Sequence, residues 1–236
     1  MRKILPVLII FTITSCAELQ QVVNQLPQDG GVLSNADIGA GLRQALDFGI
    51  DKQVTKLTQT DGFYKNELVK ILLPEELRKV DKTLRDIGLN KLADEGLKAL
   101  NRAAEDAVKE ATPIFVDAVK GITFNDAKNI LLGEDNAATQ YLETRTNAAL
   151  YDKFNPVIKQ SFGKVGADKI WTNLITKYNG LPLVNDVNPD LTDYVTNEAL
   201  KGVYTMIAVE EKEIRNKIGS RTTDLLRKVF ALQDGR

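Results

Sequence analysis

Residues 192–216 read TDYVTNEALKGVYTMIAVEEKEIRN, and this stretch decides the fold class. Val203, Ile207 and Ile214 recur at helical spacing, so they predict one helix with a buried apolar stripe over the whole segment. Glu210 lies three residues after Ile207 and four before Ile214, which puts a carboxylate on that stripe. The carboxylate either reaches water at the edge of the stripe or is buried against a cation. The candidate cations are Arg102, Arg215 and Arg221.

Apolar residues recur at spacings of three and four over most of the remaining chain. Ser34 and Asp37 form an S-x-x-D cap ahead of an apolar stripe, which predicts a helix over about 35–58. Pro74 suits the first turn of another helix, and Gly88 suits its end. Further helices are predicted over 90–111, 123–132, 136–150, 152–163, 166–179 and 221–232, with a loop at 179–190.

No run of alternating apolar and polar residues predicts an extended sheet. We therefore expect an all-α fold, a single-domain bundle of several helices over residues 34–232. Pro113 is expected to kink or end the helix that precedes it. The segment ELVKILLP, residues 67–74, is also consistent with a short extended structure, so one short strand pair near residues 62–73 stays open.

Charge and residue content exclude several classes of function. The formal net charge is −1, so the chain lacks the basic excess that neutralises a row of phosphates, and we expect no nucleic-acid partner. The chain has no histidine, which excludes Ser-His-Asp and Cys-His catalysis and the usual zinc sites. No recognised catalytic or nucleotide-binding motif is present. Whether the protein is an enzyme stays open, but these features favour a protein without catalytic residues, cofactor or metal.

Residues 1–15 have the layout of a secretory leader. Arg2 and Lys3 precede ten apolar residues, and small residues follow. Ten residues in a helix rise only about 15 Å, whereas the hydrocarbon core of a membrane is about 30 Å thick. The apolar run is therefore too short to span a membrane.

Residues 13–16, ITSC, resemble the bacterial lipobox, in which the cysteine sulfur receives a diacylglycerol and the leader is removed before it. We therefore predict a lipoprotein signal over 1–15, lipid attachment at Cys16 and a lipidated tether over 16–33. By resemblance to bacterial sorting rules, Ala17 after the cysteine favours the outer membrane, with the domain facing the periplasm. The alternative is an ordinary secretory signal with a cysteine nearby by chance.

Charged residues on two predicted helices are candidates for a polar network. Arg102 has Glu105 and Asp106 one turn further along its helix, so the three side chains form either a solvated, salt-bridged face or a network covered by a second layer of helices. Residues 220–224, SRTTD, are typical of a helix start, where hydroxyls accept from free N–H groups and an acid complements the dipole.

Eight motifs occur together and in order: LSNADIGAGLRQAL, DGFYKN, LPEEL, NRAAEDAV, AATQYLETRT, DLTDYVTNEALKG, EEKEIR and RTTDLLRKVF. In this order they resemble a bacterial family known only as a domain of unknown function, number four-one-nine-seven. The resemblance covers about residues 33–230. It implies a mostly helical envelope protein, often with a lipoprotein leader, and supplies no substrate or catalytic residue.

The motifs centre on charged and amide residues, and we expect several of them to meet in space as an interior or groove-lining charged network. These residues are Asn101, Arg102, Glu105, Glu210, Glu211, Arg215, Arg221 and Asp224.

Three functions are consistent with the sequence. The first is a non-enzymatic envelope module that is held at the membrane through lipidated Cys16 and binds an envelope protein or an amphiphilic ligand; an open apolar groove would favour the ligand. The second is a carboxylate-based hydrolase acting on an envelope polysaccharide, with Glu210 and either Glu105 or Asp224 roughly 5–10 Å apart. The third, a divalent-cation site, lacks any calcium-loop motif.

Overall fold

The computed structural model describes residues 33–165, 167–180 and 190–234. The described residues contain helices and no strand, which confirms the all-α fold class. Residues from Asn35 onward form one compact unit. The helices are α1 Asn35–Thr58, α2 Glu75–Asp86, α3 Asn90–Ala107, α4 Ala111–Lys120, α5 Phe124–Leu131, α6 Ala137–Val165, α7 Ala167–Asn179, α8 Thr192–Asn216 and α9 Asp224–Phe230, with 3₁₀ turns at Val108–Glu110, Ile218–Ser220 and Ala231–Gln233.

Helix α8 lies at the centre of the bundle and contacts α6, α1 and α3. The predicted stripe is buried, and the bounds of α8 match those expected from the spacing of Val203, Ile207 and Ile214. Apolar burial at about 25 cal/mol per Å² is the main favourable contribution to such packing. The stripe also carries Glu210 and Glu211 into the interior, so α8 brings charge to the core as well as apolar surface.

Helix α3 ends earlier than the sequence predicts. It was expected to continue to residue 111, but it ends at Ala107, and the chain tightens into the 3₁₀ turn Val108–Glu110 before α4 begins. Pro113 accounts for this change, because it has no N–H to donate four residues back and its ring crowds the carbonyl of Lys109.

The prediction of two helices over 136–150 and 152–163 is wrong, because α6 is continuous through the predicted break at residue 151 and through Pro156. Buried side chains follow one another at spacings of four across the predicted break and hold the two halves in one packed face: Leu142, Thr146, Leu150, Phe154, Ile158 and Phe162. Pro156 itself is exposed, so its ring meets solvent rather than a neighbouring helix.

The short strand pair near residues 62–73, which the sequence left open, is absent. The described chain there consists of turns and extended coil. An extended segment needs partners for its backbone groups. Ile71 finds them in the side chain of Asn101, which donates to its C=O and accepts from its N–H, so no second strand is required.

No helix among the described residues combines the length and the apolar content that crossing a membrane requires. The predicted leader, Cys16 and nearly all of the tether fall within residues 1–32 and lie outside the described residues. Most of the loop predicted at 179–190 also lies outside the described residues.

Candidate functional site

A long loop between α1 and α2 is the least regular part of the described domain. Residues 59–74 form neither helix nor strand, and we call this segment the pinned loop. Loops of this length inside compact domains are uncommon and often carry function. How the chain holds this loop in place therefore indicates what it can do.

Glu105 of α3 holds the first half of the pinned loop. This buried carboxylate accepts hydrogen bonds from the backbone N–H of Phe63 (3.1 Å) and of Tyr64 (3.4 Å) through Oε1. Its Oε2 accepts from Arg102 at 2.5 Å, and Arg102 also pairs with Asp61 in the loop. The carboxylate therefore replaces the water that would otherwise solvate these loop amides.

Asn101, one turn earlier on α3, holds the second half. Its Oδ1 accepts from the N–H of Ile71 at 2.8 Å, and its Nδ2 donates to the C=O of Ile71 at 2.9 Å. The side chain is fully buried and also donates to the carbonyl of Leu97. One amide thus makes the pair of hydrogen bonds that a neighbouring strand would make.

Tight packing closes the loop against the bundle. The ring of Phe63 is fully buried against α8 at Gly202, where a Cβ atom would lie 2.6 Å from a ring carbon. A Cβ at Gly62 would lie 2.5 Å from the carbonyl oxygen of Leu57. Asp61 has φ of 69°, a left-handed conformation that Asp adopts more readily than most residues. The loop therefore has little freedom to move as a whole.

The outer side of the pinned loop is apolar at two positions. Leu68 is 65% exposed and Leu72 is 53% exposed. The hydroxyl of Tyr194 donates to the carbonyl of Leu72 at 2.7 Å and so ties this part of the loop to α8. Beside Leu68 an open cleft of about 390 Å³ is lined by polar residues that include Lys56, Gln59, Asp61, Lys65 and Asn66.

Asp61 is the loop's main charged contact. A hydrogen bond from Lys65 has the largest effect on Asp61 and, together with the pairing to Arg102, holds the pKa of its carboxyl below the ordinary value of an aspartate, although burial acts in the opposite direction. At neutral pH the loop therefore carries a carboxylate that is paired on two sides.

A second cluster lies where three helices end. Glu211 of α8 accepts from the backbone N–H of Ala138 (2.9 Å) and Thr139 (2.8 Å) and from the hydroxyl of Thr139, so it caps the N-terminus of α6. Arg215 pairs with Glu211 and donates to the carbonyl of Ile130 at 2.8 Å and of Leu131 at 3.2 Å. A carboxylate at a helix start and a cation at a helix end both complement the helix dipole.

Arg221 extends this cluster to the end of α8. It donates to the carbonyls of Ile214 (3.0 Å) and Arg215 (2.8 Å) and forms a two-bond ion pair with Asp234. We call Glu211, Arg215, Arg221 and Asp234 the helix-end cluster.

The eight candidate residues thus do not form one network. Asn101, Arg102 and Glu105 hold the pinned loop, and Glu211, Arg215 and Arg221 join three helix ends. Glu210 is buried, and its partners are Lys52 (2.7 Å) and Gln53 (2.8 Å) of α1 rather than an arginine. The side chain of Asp224 is 89% exposed and pairs only with Arg227 among the contacts described for it.

Sequence reasoning missed four partners: Lys52, Gln53, Asp61 and Asp234. The signal for Asp61 was the Asp-Gly turn in DGFYKN, since Asp-Gly tolerates a left-handed backbone. Nothing in helix periodicity identifies Lys52 or Gln53, which lie more than 150 residues from Glu210 in sequence.

A small cavity of about 20 Å³ lies among α1, α8 and α9. Most of its lining is apolar, including Leu42, Leu46, Ile207, Ile214 and Phe230, and Glu211 and Arg215 also border it. A cavity of this size holds one water molecule. Within the described ranges, no group of three or more potential metal-ligating side chains was found.

Comparison with known proteins gives a family and nothing further. The model of the family described as "Protein of unknown function (DUF4197)" matches residues 32–231, nearly the whole helical domain. No curated protein and no solved structure matches the chain.

Asn101→Ala tests how the loop is held. We expect a loss of about 3 kcal/mol in the free energy of unfolding, because the N–H and C=O of Ile71 both remain buried without a partner. Asn197→Ala, at an exposed position on α8, is the matched control and should change stability by no more than about 0.5 kcal/mol. Denaturant unfolding measures both. A cost below about 1 kcal/mol for Asn101→Ala would contradict this role.

Asp61→Asn tests how much the charge of Asp61 contributes to the stability of the protein. Asn tolerates the same left-handed backbone, so the substitution removes the charge without straining the turn. The folded-state pKa of Asp61 is lowered, so its charge contributes stability above the unfolded pKa of about 3.9, and this contribution disappears as pH falls through the folded pKa. The melting temperature of wild type should exceed that of the variant at pH 7, and the difference should vanish towards pH 2. A difference that is unchanged by pH would exclude the charge as its cause.

Proposed function

The chain belongs to the DUF4197 family, and on that premise we propose that it is a lipid-anchored, non-enzymatic module of the bacterial cell envelope. In this proposal the helical domain faces the periplasm from the outer membrane and binds a partner protein through the pinned loop. The anchor and the docking surface are argued separately, because different residues carry them.

The anchor rests on the leader sequence. Cys16 is the only cysteine, follows small residues and closes the apolar run, as the lipobox pattern requires. Each buried CH₂ group contributes about 0.8 kcal/mol to membrane binding, and two or more acyl chains hold a protein stably where one does not. An anchor of this kind needs no membrane-spanning helix.

The size of the interior space favours a partner protein over an amphiphilic ligand. An acyl chain needs an open apolar groove, and the small cavity of about 20 Å³ accommodates a single water molecule instead. The larger cleft beside the pinned loop is lined mainly by polar side chains. A protein surface is the occupant that suits exposed leucines beside such a cleft.

The hydrolase alternative loses its best carboxylates to structural roles. Both oxygens of Glu105 accept hydrogen bonds, from loop amides and from Arg102. Both oxygens of Glu210 likewise accept from α1. Asp224 is exposed at the start of α9. A general acid or nucleophile needs an oxygen free to reach the substrate, whereas Glu105 and Glu210 are committed to holding the fold.

One observation carries the proposal of docking: the pinned loop exposes Leu68 and Leu72 while buried side chains fix its backbone. A surface that is already ordered loses less conformational entropy when it binds. Exposed leucines on a mobile loop would serve binding less well, because ordering the loop would offset part of the gain.

The anchor is tested with the full-length chain expressed in a bacterial host. We expect the mature protein to begin at Cys16, to exceed the mass of the bare polypeptide by its acyl groups and to stay in membranes after a high-salt wash. Cys16→Ser, which removes only the sulfur, should keep the protein free of acyl groups. A wild-type protein of bare mass in the soluble fraction would refute the anchor.

The docking surface is tested with a photo-crosslinking amino acid placed at Leu68, at Leu72 or at Ile218, which is equally exposed but lies outside the loop. Crosslinking in living cells should give the same discrete adduct from both loop positions and none from Ile218. Asn101→Ala should weaken both adducts, since it frees the loop backbone. Adducts of equal yield from Ile218, or none from the loop, would refute the proposal.

A further inference from the structure

The last described turn, Ala231–Gln233 with Asp234, is attached to the domain by polar contacts. Asp234 accepts two hydrogen bonds of 2.7 Å from Arg221, and Gln233 donates to the carbonyl of Leu131. Ala231 and Leu232 are exposed, so neither provides a buried apolar side chain. Segments with few buried apolar contacts open at the lowest free-energy cost.

Arg221 is buried more deeply than its ion-pair partner. Its side chain is 2% exposed, whereas that of Asp234 is 44% exposed. One side of the guanidinium is fixed by the carbonyls at the end of α8 and the other faces the two oxygens of Asp234. This planar two-bond arrangement is the geometry in which arginine recognises a carboxylate or a phosphate.

A polar cleft of about 380 Å³ lies beside this ion pair. It is lined by Arg215, by Gly133 and Asn216, and by Asp234 itself. Asp135 also lies on its rim and accepts from Asn216 at 3.4 Å. Arg215 is already paired with Glu211, so removal of Asp234 leaves the Arg221 guanidinium without its carboxylate partner beside open space.

We propose that Arg221 forms an anion-binding site that Asp234 of the same chain fills in this structure. The turn from Ala231 to Asp234 acts as a latch, which gives up this position to a carboxylate or phosphate group of an incoming ligand. This site is independent of the pinned loop and of the lipid anchor.

The latch sets a requirement on its ligand. A tethered carboxylate competes at an effective concentration in the millimolar range, so a simple anion displaces it poorly. A ligand that also contacts Arg215 or Asn216 in the cleft gains the additional binding free energy that it needs to displace Asp234. Arg221 lowers the pKa of Asp234, so the latch carries its charge at neutral pH.

The test removes the latch carboxylate and supplies an anion from solution. Asp234→Ala should lower the melting temperature by a few degrees, and sodium acetate or phosphate should restore it in a saturable way at constant ionic strength. Rescue by acetate alone assigns a carboxylate site, and rescue by phosphate assigns a phosphate site. The added anion should not change the melting temperature of the wild type. Nor should it change that of Asp224→Ala, which removes an exposed carboxylate on α9.

A second variant ties the rescue to Arg221. Asp234→Ala combined with Arg221→Lys should lose the rescue, because lysine cannot make the two-bond contact. Hydrogen exchange of Asp234→Ala should rise at residues 231–234 and stay unchanged in α8. The proposal fails if neither anion gives saturable rescue, if Asp224→Ala is rescued equally, or if exchange in α8 rises together with the turn.

Discussion

Backbone groups outside helical hydrogen bonding are the constraint on which this structure depends. Every helix end leaves N–H or C=O groups without partners, and a loop of sixteen residues leaves more. Here, buried side chains of α3 and α8 provide many of those partners. Asn101 and Glu105 satisfy the pinned loop, and Glu211 and Arg215 satisfy the ends of α5 and α6.

Burying these charges is costly unless every member is paired, because a lone charge in the interior loses its hydration. Glu211 and Arg215 compensate each other directly, and the carbonyls and amides around them take up the remaining donors and acceptors. Arrangements of this kind contribute little net stability compared with apolar packing. Their effect here is to fix how helix ends and one loop sit on the bundle, and the pinned loop can then present Leu68 and Leu72 in a fixed geometry.

The sequence predicted the long helices better than it predicted contacts between them. Periodicity located α1 and α8 closely, since a long apolar stripe defines each of them. It failed between residues 150 and 152, where it predicted a break, because the packing that holds one continuous helix there is not a local property of the sequence. It placed the carboxylate of Glu210 on the buried stripe of α8, but helical spacing gives only the face of a residue. The partners of Glu210 lie on α1, and no local pattern contains that information.

The most direct test of this account is native-state hydrogen exchange of individual backbone amides in the wild-type protein. The amides of Phe63, Ile71, Ala138 and Thr139 lie in a loop or at a helix start, where unpaired N–H groups ordinarily exchange fast. Because buried side chains accept from all four, they should be as strongly protected as amides in the middle of α8. Exchange at the rate of exposed amides would contradict the account.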